Sequence, residues 1–387
     1  MRINSTVKKN AIVGQLGGPT SVINSSLLGI IQEAVKSKRI KHILGMRDGI
    51  LGLIEDKIVD LGELELKTLN GLRYTPSSIL GSSRHVLTKE EFQFIFKQLE
   101  RYDIGYVFLI GGNGTMEICR QIDQHCKKNN YQINVIGIPK TVDNDLCKTD
   151  HTPGFASAAR YICLSVLQGG RLARDMKSID KYVVLQTVGK SSGWLAASSA
   201  FAKRKESEAP HLIYIPERPL SQENFLLDVK KCFKKYGWAY IVCGEGIHWT
   251  DGSFVASHYP GSNNSNIKEF GAMGGGSAAL NLHKIIYQET GHRGEFQITE
   301  SLSMCAMDRV SKVDIEEAYT CGAQAVKLAD EEISGVMVSL VRTSSNPYKI
   351  ELTTVPFEEV ALKVKAMDDK YINLEGNFVT AEYIKYL

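Results

Sequence analysis

At 387 residues, 43% of them hydrophobic and 23% charged, the chain has the balance of a globular protein long enough for about two domains of ~150 residues each. Such a length buries a sizeable core without disulfide or metal staples. A formal charge of +3, with no run of five like charges, excludes a nucleic-acid role built on electrostatics.

Ala11–Leu16 reads as a first strand, followed by Gly17-Gly18-Pro19-Thr20 and a helix over about 21–35. Val22, Ile23, Leu27, Ile30, Ile31 and Ala34 give that helix an apolar face at helical spacing. Strand, glycine turn and helix aim backbone N–H groups and the positive helix end at an anion; a tight turn with no ligand is the plainer reading. Residues 40–44 form a second strand, and Gly81-Ser82-Ser83-Arg84 a loop before a helix over about 89–101. Arg84 offers a fork of donors to a phosphate, or is a solvated charge.

Residues 105–110, Gly-Tyr-Val-Phe-Leu-Ile, are a strongly apolar strand running into Gly111-Gly112-Asn113-Gly114-Thr115 and a helix through about Lys128. Three glycines in four residues let a ligand approach the backbone closely. This is not a Walker A sequence: the only Gly-Lys-Ser, at 189–191, has Val184 where the earlier glycine belongs. No Gly-x-Gly-x-x-Gly follows the first strand, so a dinucleotide fingerprint is absent.

Residues 133–138 are another buried strand, ended by Pro139, which cannot donate to the ladder. The loop Lys140-Thr141-Val142-Asp143-Asn144-Asp145 therefore sits at a strand's carboxyl end, where open α/β sheets bind ligands. Lys140 meets anionic oxygen and Thr141 hydrogen-bonds it. Asp143 accepts a proton from an attacking hydroxyl, and Asp145 orients a metal or a neighbour. This is the equipment of phosphoryl transfer, which needs positioning and charge neutralisation; a polar turn rich in Asp and Asn is the alternative.

Helices follow over about 156–168 and 193–203, with strands at 181–186 and 211–215. A helix over about 222–235 and a strand at 238–243 lead to Gly244-Glu245-Gly246. Beyond a glycine- and asparagine-rich stretch at 253–276, helices are expected near 277–289 and 315–329 and strands at 295–298, 335–341 and 348–352. The alternation of strand and helix predicts an α/β fold with mostly parallel sheets and helices on both faces. No cysteine pair among positions 119, 126, 147, 163, 232, 243, 305 and 321 has Cys-x-x-Cys spacing, which argues against zinc. Cys163 and Cys243 lie in apolar runs, as reduced core thiols of a cytoplasmic protein do. No apolar stretch approaches the ~18–20 residues of a membrane span, and no signal peptide is expected.

The three turns at 17–20, 111–115 and 139–145 together resemble the phosphofructokinase family, as do Thr152–Phe155, Val188-Gly189-Lys190 and Gly244-Glu245-Gly246. The flavour is that of short bacterial pyrophosphate-dependent members, over roughly residues 11–361. The resemblance implies two Rossmann-like domains with the active site in the interdomain cleft. Residues 1–150 would be a donor domain with a returning segment near 250–310; 151–250 and 310–387 would be the acceptor domain and C-terminal elements. It implies Mg²⁺-dependent transfer, from pyrophosphate or ATP, to the 1-hydroxyl of fructose 6-phosphate. Asp143 would be the base, with Thr141 and Lys140 at the transferring group. Gly18, Arg84, Gly112, Asn113, Gly114 and Thr115 would hold the donor. Thr141, Asp143, Lys181, Val188, Gly189, Lys190 and Glu245 would hold the acceptor, and Asn113 and Asp145 the metal. A cytoplasmic homodimer or homotetramer follows, because related sites are completed across subunits.

The chain also departs from the family. By the same resemblance, Gly114 stands where pyrophosphate enzymes carry Asp, which leaves room for ATP, whereas Lys140 matches the pyrophosphate branch and also the eukaryotic ATP enzymes that combine Gly with Lys. Lys181, Lys190, Glu295 and Met304 stand where arginines grip the acceptor's phosphate. Another sugar or polyol as acceptor, or a non-catalytic sugar-phosphate sensor, are the alternatives. Trp194, Trp238 and Trp249 read as core residues, and His85 and His151 as neighbours of the phosphate loops rather than ligands.

Overall fold

The computed structural model describes residues 8–256 and 276–387. The glycine-rich stretch expected at 253–276, with the Gly274-Gly275-Gly276 run, falls largely outside the described residues. The chain begins β1 (Lys9–Gln15), α1 (Ile23–Ala34), β2 (Ile40–Met46), α2 (Leu51–Ile54), β3 (Ile58–Asp60), α3 (Leu66–Leu72), α4 (Lys89–Arg101), β4 (Ile104–Gly111), α5 (Asn113–Lys128) and β5 (Asn134–Pro139). It continues with α6 (Phe155–Met176), β6 (Tyr182–Thr187), α7 (Trp194–Ser198), β7 (Leu212–Tyr214), α8 (Gln222–Tyr236), β8 (Ala239–Gly244), α9 (Ala278–Thr290) and β9 (Gly294–Ile298). It closes with α10 (Lys312–Asp330), β10 (Val336–Ser345), β11 (Tyr348–Pro356), α11 (Phe357–Val360) and α12 (Ala381–Tyr386).

These elements form two compact units, Met1–Ser157 with Met304–Val364, and Ala158–Ser303 with Lys365–Leu387. The expected return near 250–310 is thus corrected. β9 pairs in parallel with β6 and keeps 294–298 in the second unit, whereas α10 packs on α1 and β10 pairs with β5 in the first. Only 365–387, not all of 310–387, belongs to the second unit.

The first unit holds a seven-stranded sheet, β11-β10-β5-β4-β1-β2-β3, parallel except at its two edges. All eight residues of β4 are buried, as a central parallel strand covered on both faces requires. α1 and α10 cover one face, while α4 and α5 cover the other. β1 lies between β2 and β4, so the order reverses there, and the carboxyl ends of β1 and β4 flank a topological switch point. The second unit holds a four-stranded, all-parallel sheet, β7-β8-β6-β9.

The helix expected over 156–168 runs to Met176, because Gly169 and Gly170 do not stop it. They serve close packing: a Cβ on Gly169 would lie 2.6 Å from the Tyr240 hydroxyl, and one on Gly170 2.5 Å from the Ala209 Cβ. The α1–α10 contact uses the same device. A Cβ on Gly29 would fall 2.1 Å from the Tyr319 carbonyl oxygen, and one on Gly322 2.0 Å from that of Ser26. Gly322→Ala should gain ~1 kcal/mol of helix propensity and lose about 1–3 kcal/mol or more to overpacking against backbone. A lowered urea midpoint is the expected result.

Candidate active site

Three turns meet at the switch point of the first unit. After β1 the chain turns through Gly17, at φ +73°, a left-handed conformation that favours glycine. Gly17 N–H donates to the Ser83 carbonyl at 3.0 Å, and the Ser82 hydroxyl donates to the Gly17 carbonyl at 2.6 Å. That brings the 81–84 loop alongside, and places Arg84 Nη2 3.6 Å from where a Gly18 Cβ would stand. Buried Gln15 anchors the same loop, its Oε1 accepting from Ser78 Oγ at 2.8 Å and Leu80 N–H at 3.1 Å.

After β4, Gly112 adopts an extended conformation and α5 opens at Asn113, so the first N–H groups of a 16-residue helix stand free of intrahelical partners. At Gly111 a Cβ would fall 2.0 Å from Thr115 Oγ1, so only glycine fits there, whereas nothing lies within 4 Å of a Cβ on Gly114.

The loop after β5 ties the other two together. Lys140, 2% exposed, donates from Nζ to the carbonyls of Leu16 at 2.8 Å and Gly18 at 2.5 Å. Asn113 Nδ2 donates to Asp145 Oδ2 at 3.1 Å. Thr141 Oγ1 accepts from Asp143 N–H at 3.1 Å, and Asp143 itself is buried. The Thr141 carbonyl accepts from Thr152 Oγ1 at 2.8 Å, and Thr141 N–H reaches the Pro153 carbonyl at 3.3 Å. Gly18, Arg84, Gly112–Thr115, Lys140, Thr141, Asp143 and Asp145 are therefore one constellation, with the Asp145 carboxylate at the start of α5 and the Lys140 ammonium at the Gly17-Gly18 turn.

In the second unit, Val188, Gly189 and Lys190 follow the carboxyl end of β6. Glu245 Oε1 accepts from Gly189 N–H at 3.0 Å and Lys190 N–H at 2.7 Å, so the acid shapes this loop. Gly246 is needed beside it, since its Cβ would lie 1.8 Å from the Lys190 carbonyl oxygen. The Thr187 hydroxyl, buried at this same edge, has no hydrogen-bond partner among the described residues. Lys181 and Glu295 stand at the opposite edge: Lys181 N–H bonds the Arg293 carbonyl at 2.7 Å just before β6, and Glu295 pairs with Val183. At about 3.3 Å of rise per residue, the six residues of β6 put roughly 20 Å between Lys181 and the 188–190 loop of the same chain.

Met304, read as replacing an acceptor arginine, belongs to the first unit, with its methyl 2.5 Å from the position of a Gly18 Cβ. His85 is engaged by Glu91 at 2.9 Å. Trp194 is buried under Tyr371, Tyr383 and Tyr386, as a core residue.

Sequence reading missed the supports behind this site. Asp314 on α10, fully buried, accepts from Gly154 N–H at 2.8 Å, Ser157 N–H at 3.0 Å and Ser157 Oγ at 2.5 Å. Burial raises its pKa against those bonds. The Ser311-x-x-Asp314 spacing is a capping signal that would have flagged it. His151 lies between Asp150 and Glu317. Burial pulls its pKa down, but the two carboxylates outweigh it and raise it from 6.5 to about 9. A raised folded pKa stabilises fully below 6.5, and the gain is lost as pH climbs through about 9. Urea unfolding of the first unit should therefore weaken by on the order of 2–4 kcal/mol across that window, and His151→Gln should flatten the change.

Among the described residues no helix is long and apolar enough to cross a membrane, and no group of three His, Cys, Asp or Glu is set to hold a metal.

The phosphofructokinase family model matches residues 10–329. The pyrophosphate–fructose 6-phosphate 1-phosphotransferase of Methylococcus capsulatus is 33% identical over 98% of this chain and 90% of its own. A sulfofructose kinase of Alkalicoccus urumqiensis is 34% identical over 90% of this chain and 88% of its own. The crystal structure of a pyrophosphate-dependent phosphofructokinase from Nitrosospira multiformis superposes with a TM-score of 0.89 at 32% identity, covering 98% of this chain and 90% of that one. The chain belongs to the phosphofructokinase family.

Proposed function

We propose that this protein transfers a phosphoryl group from pyrophosphate to the 1-hydroxyl of fructose 6-phosphate. The observation that carries the reading is Lys140, a buried cation bonded to the Leu16 and Gly18 carbonyls at the donor turn and one residue from Thr141. Gly18, Arg84 and the N–H groups of Gly112 to Thr115 bind the donor's oxygens. Thr141 holds the transferring group, and Asp143 takes the proton of the attacking hydroxyl. Glu245 shapes the 188–190 loop, where Val188, Gly189 and Lys190 bind the sugar phosphate.

A divalent ion fits the residues present. Asn113 Oδ1 is buried with no hydrogen-bond partner among the described residues, beside the Asp145 carboxylate. Magnesium takes one or two such oxygens plus substrate phosphate. Asp145 and Asn113 would hold it, and it would neutralise charge on the donor phosphates. Lys181, at the far edge of its own sheet, supports a homodimer or homotetramer in which it serves a neighbour's site. The cysteines, none of them in a disulfide, suit a cytoplasmic enzyme.

Two observations favour other substrates. The likeness to a sulfofructose kinase favours a sulfonated sugar as acceptor. The open space at Gly114 favours ATP as donor. Initial rates for both acceptors with both donors test the reading. The highest kcat/KM is expected for pyrophosphate with fructose 6-phosphate; preference for the sulfonated sugar or ATP overturns that half of it.

A further inference from the structure

The segment that steadies Thr141 is held from behind by a buried charged cluster. His151 is 5% exposed, with Nδ1 2.8 Å from Asp150 Oδ2 and Nε2 2.6 Å from Glu317 Oε2. Arg342 on β10 reaches the same Asp150 oxygen from Nε at 3.2 Å and Nη2 at 3.0 Å. The Tyr348 hydroxyl on β11 donates to Glu317 Oε1. Asp314 stands one turn before Glu317 on α10 and holds Gly154 and Ser157. Among the described residues, Asp150 from its own loop and Glu317 from α10 flank the imidazole, the Tyr348 hydroxyl of β11 lies 3.4 Å from Nε2, and Arg342 of β10 and Asp314 of α10 stand behind those carboxylates.

Both ring nitrogens face carboxylate oxygens, so both must donate, and only the imidazolium has two N–H groups. The next residue, Thr152, gives its hydroxyl to the Thr141 carbonyl at 2.8 Å, and the Pro153 carbonyl accepts the Thr141 N–H at 3.3 Å. One residue thus separates the cluster from the loop that carries Asp143.

We propose that His151, held as an imidazolium between Asp150 and Glu317, is a positioning residue that clamps 150–154 against α10 and so fixes Thr141 and Asp143 for phosphoryl transfer. The inference rests on Asp143 lying in the reacting loop. A neutral imidazole has one N–H, so on deprotonation one buried carboxylate faces a lone pair and the clamp opens. The raised pKa of His151, about 9, sets that opening at alkaline pH.

Two readouts test it. The first is amide hydrogen exchange across 149–157 in the wild-type protein at pH 7.5 and 10, corrected for intrinsic rates. Protection should fall at the higher pH; unchanged protection overturns the clamp. The second is kcat and KM from pH 7 to 10 for wild type, His151→Gln and Glu317→Gln. Wild-type kcat should drop about tenfold along the alkaline limb with little change in KM, the cost of a slightly misplaced reacting group. Glu317→Gln keeps shape and an acceptor oxygen but removes a charge, so the limb should move about one pH unit lower. His151→Gln should have a low kcat and no limb. A limb unmoved in Glu317→Gln overturns the proposal even if His151→Gln does not fold. Exchange as expected, with no turnover by any protein, sinks the proposed reaction and leaves the clamp standing.

Discussion

Asp143→Ser should lower kcat by on the order of 10³–10⁴ while leaving donor affinity within a fewfold, the upper range for losing a general base. Asp143 is buried, and its N–H is anchored on Thr141 Oγ1 at 3.1 Å. Serine is smaller and keeps the backbone N–H, so the loop can hold its path while the proton acceptor is gone. The donor groups, Gly18, Arg84 and the start of α5, are untouched. Steady-state rates with calorimetric donor titration measure both halves. Residual activity above a tenth of wild type means the proton leaves by another group.

Lys140→Met should lower kcat/KM for the donor by about 10²–10⁴. Two bonds from a buried ammonium are lost, to Leu16 at 2.8 Å and Gly18 at 2.5 Å, and charge-assisted bonds are worth ~1.5–3 kcal/mol each. Methionine matches the length without the charge, so the cavity stays filled. The same ammonium draws the glycine turn towards the reacting loop, so a wider 16–18 turn should show as faster exchange of those amides. A loss confined to melting temperature, with kcat/KM intact, would make Lys140 a structural cation only.

The strand-to-glycine-turn-to-helix segments were legible because each is local: β1 with Gly17-Gly18, β4 with Gly111–Thr115, and β5 with Pro139 announce themselves within a dozen residues. What joins them was not. Lys140 finds its acceptors 124 and 122 residues away, and His151 finds Glu317 166 residues on. Hydrophobic periodicity carries no record of such pairings. The helix expected over 156–168 runs on through Gly169-Gly170 because packing against Tyr240 and Ala209 outweighs the low helix propensity of glycine. The return of 304–364 to the first unit was misplaced because only strand pairing, β10 with β5 and β9 with β6, decides it. By resemblance Met304 stands where an acceptor arginine would, and its place over Gly18 is visible only in three dimensions.

The most direct test of the central claim is the initial rate of fructose 1,6-bisphosphate formation from fructose 6-phosphate with Mg²⁺, run in parallel with pyrophosphate and with ATP. Turnover with pyrophosphate, at least about tenfold above ATP in kcat/KM, is the result expected from Lys140 at the donor turn. No product from either donor, in folded protein shown to bind one of them, would contradict the assignment of fructose 6-phosphate as acceptor.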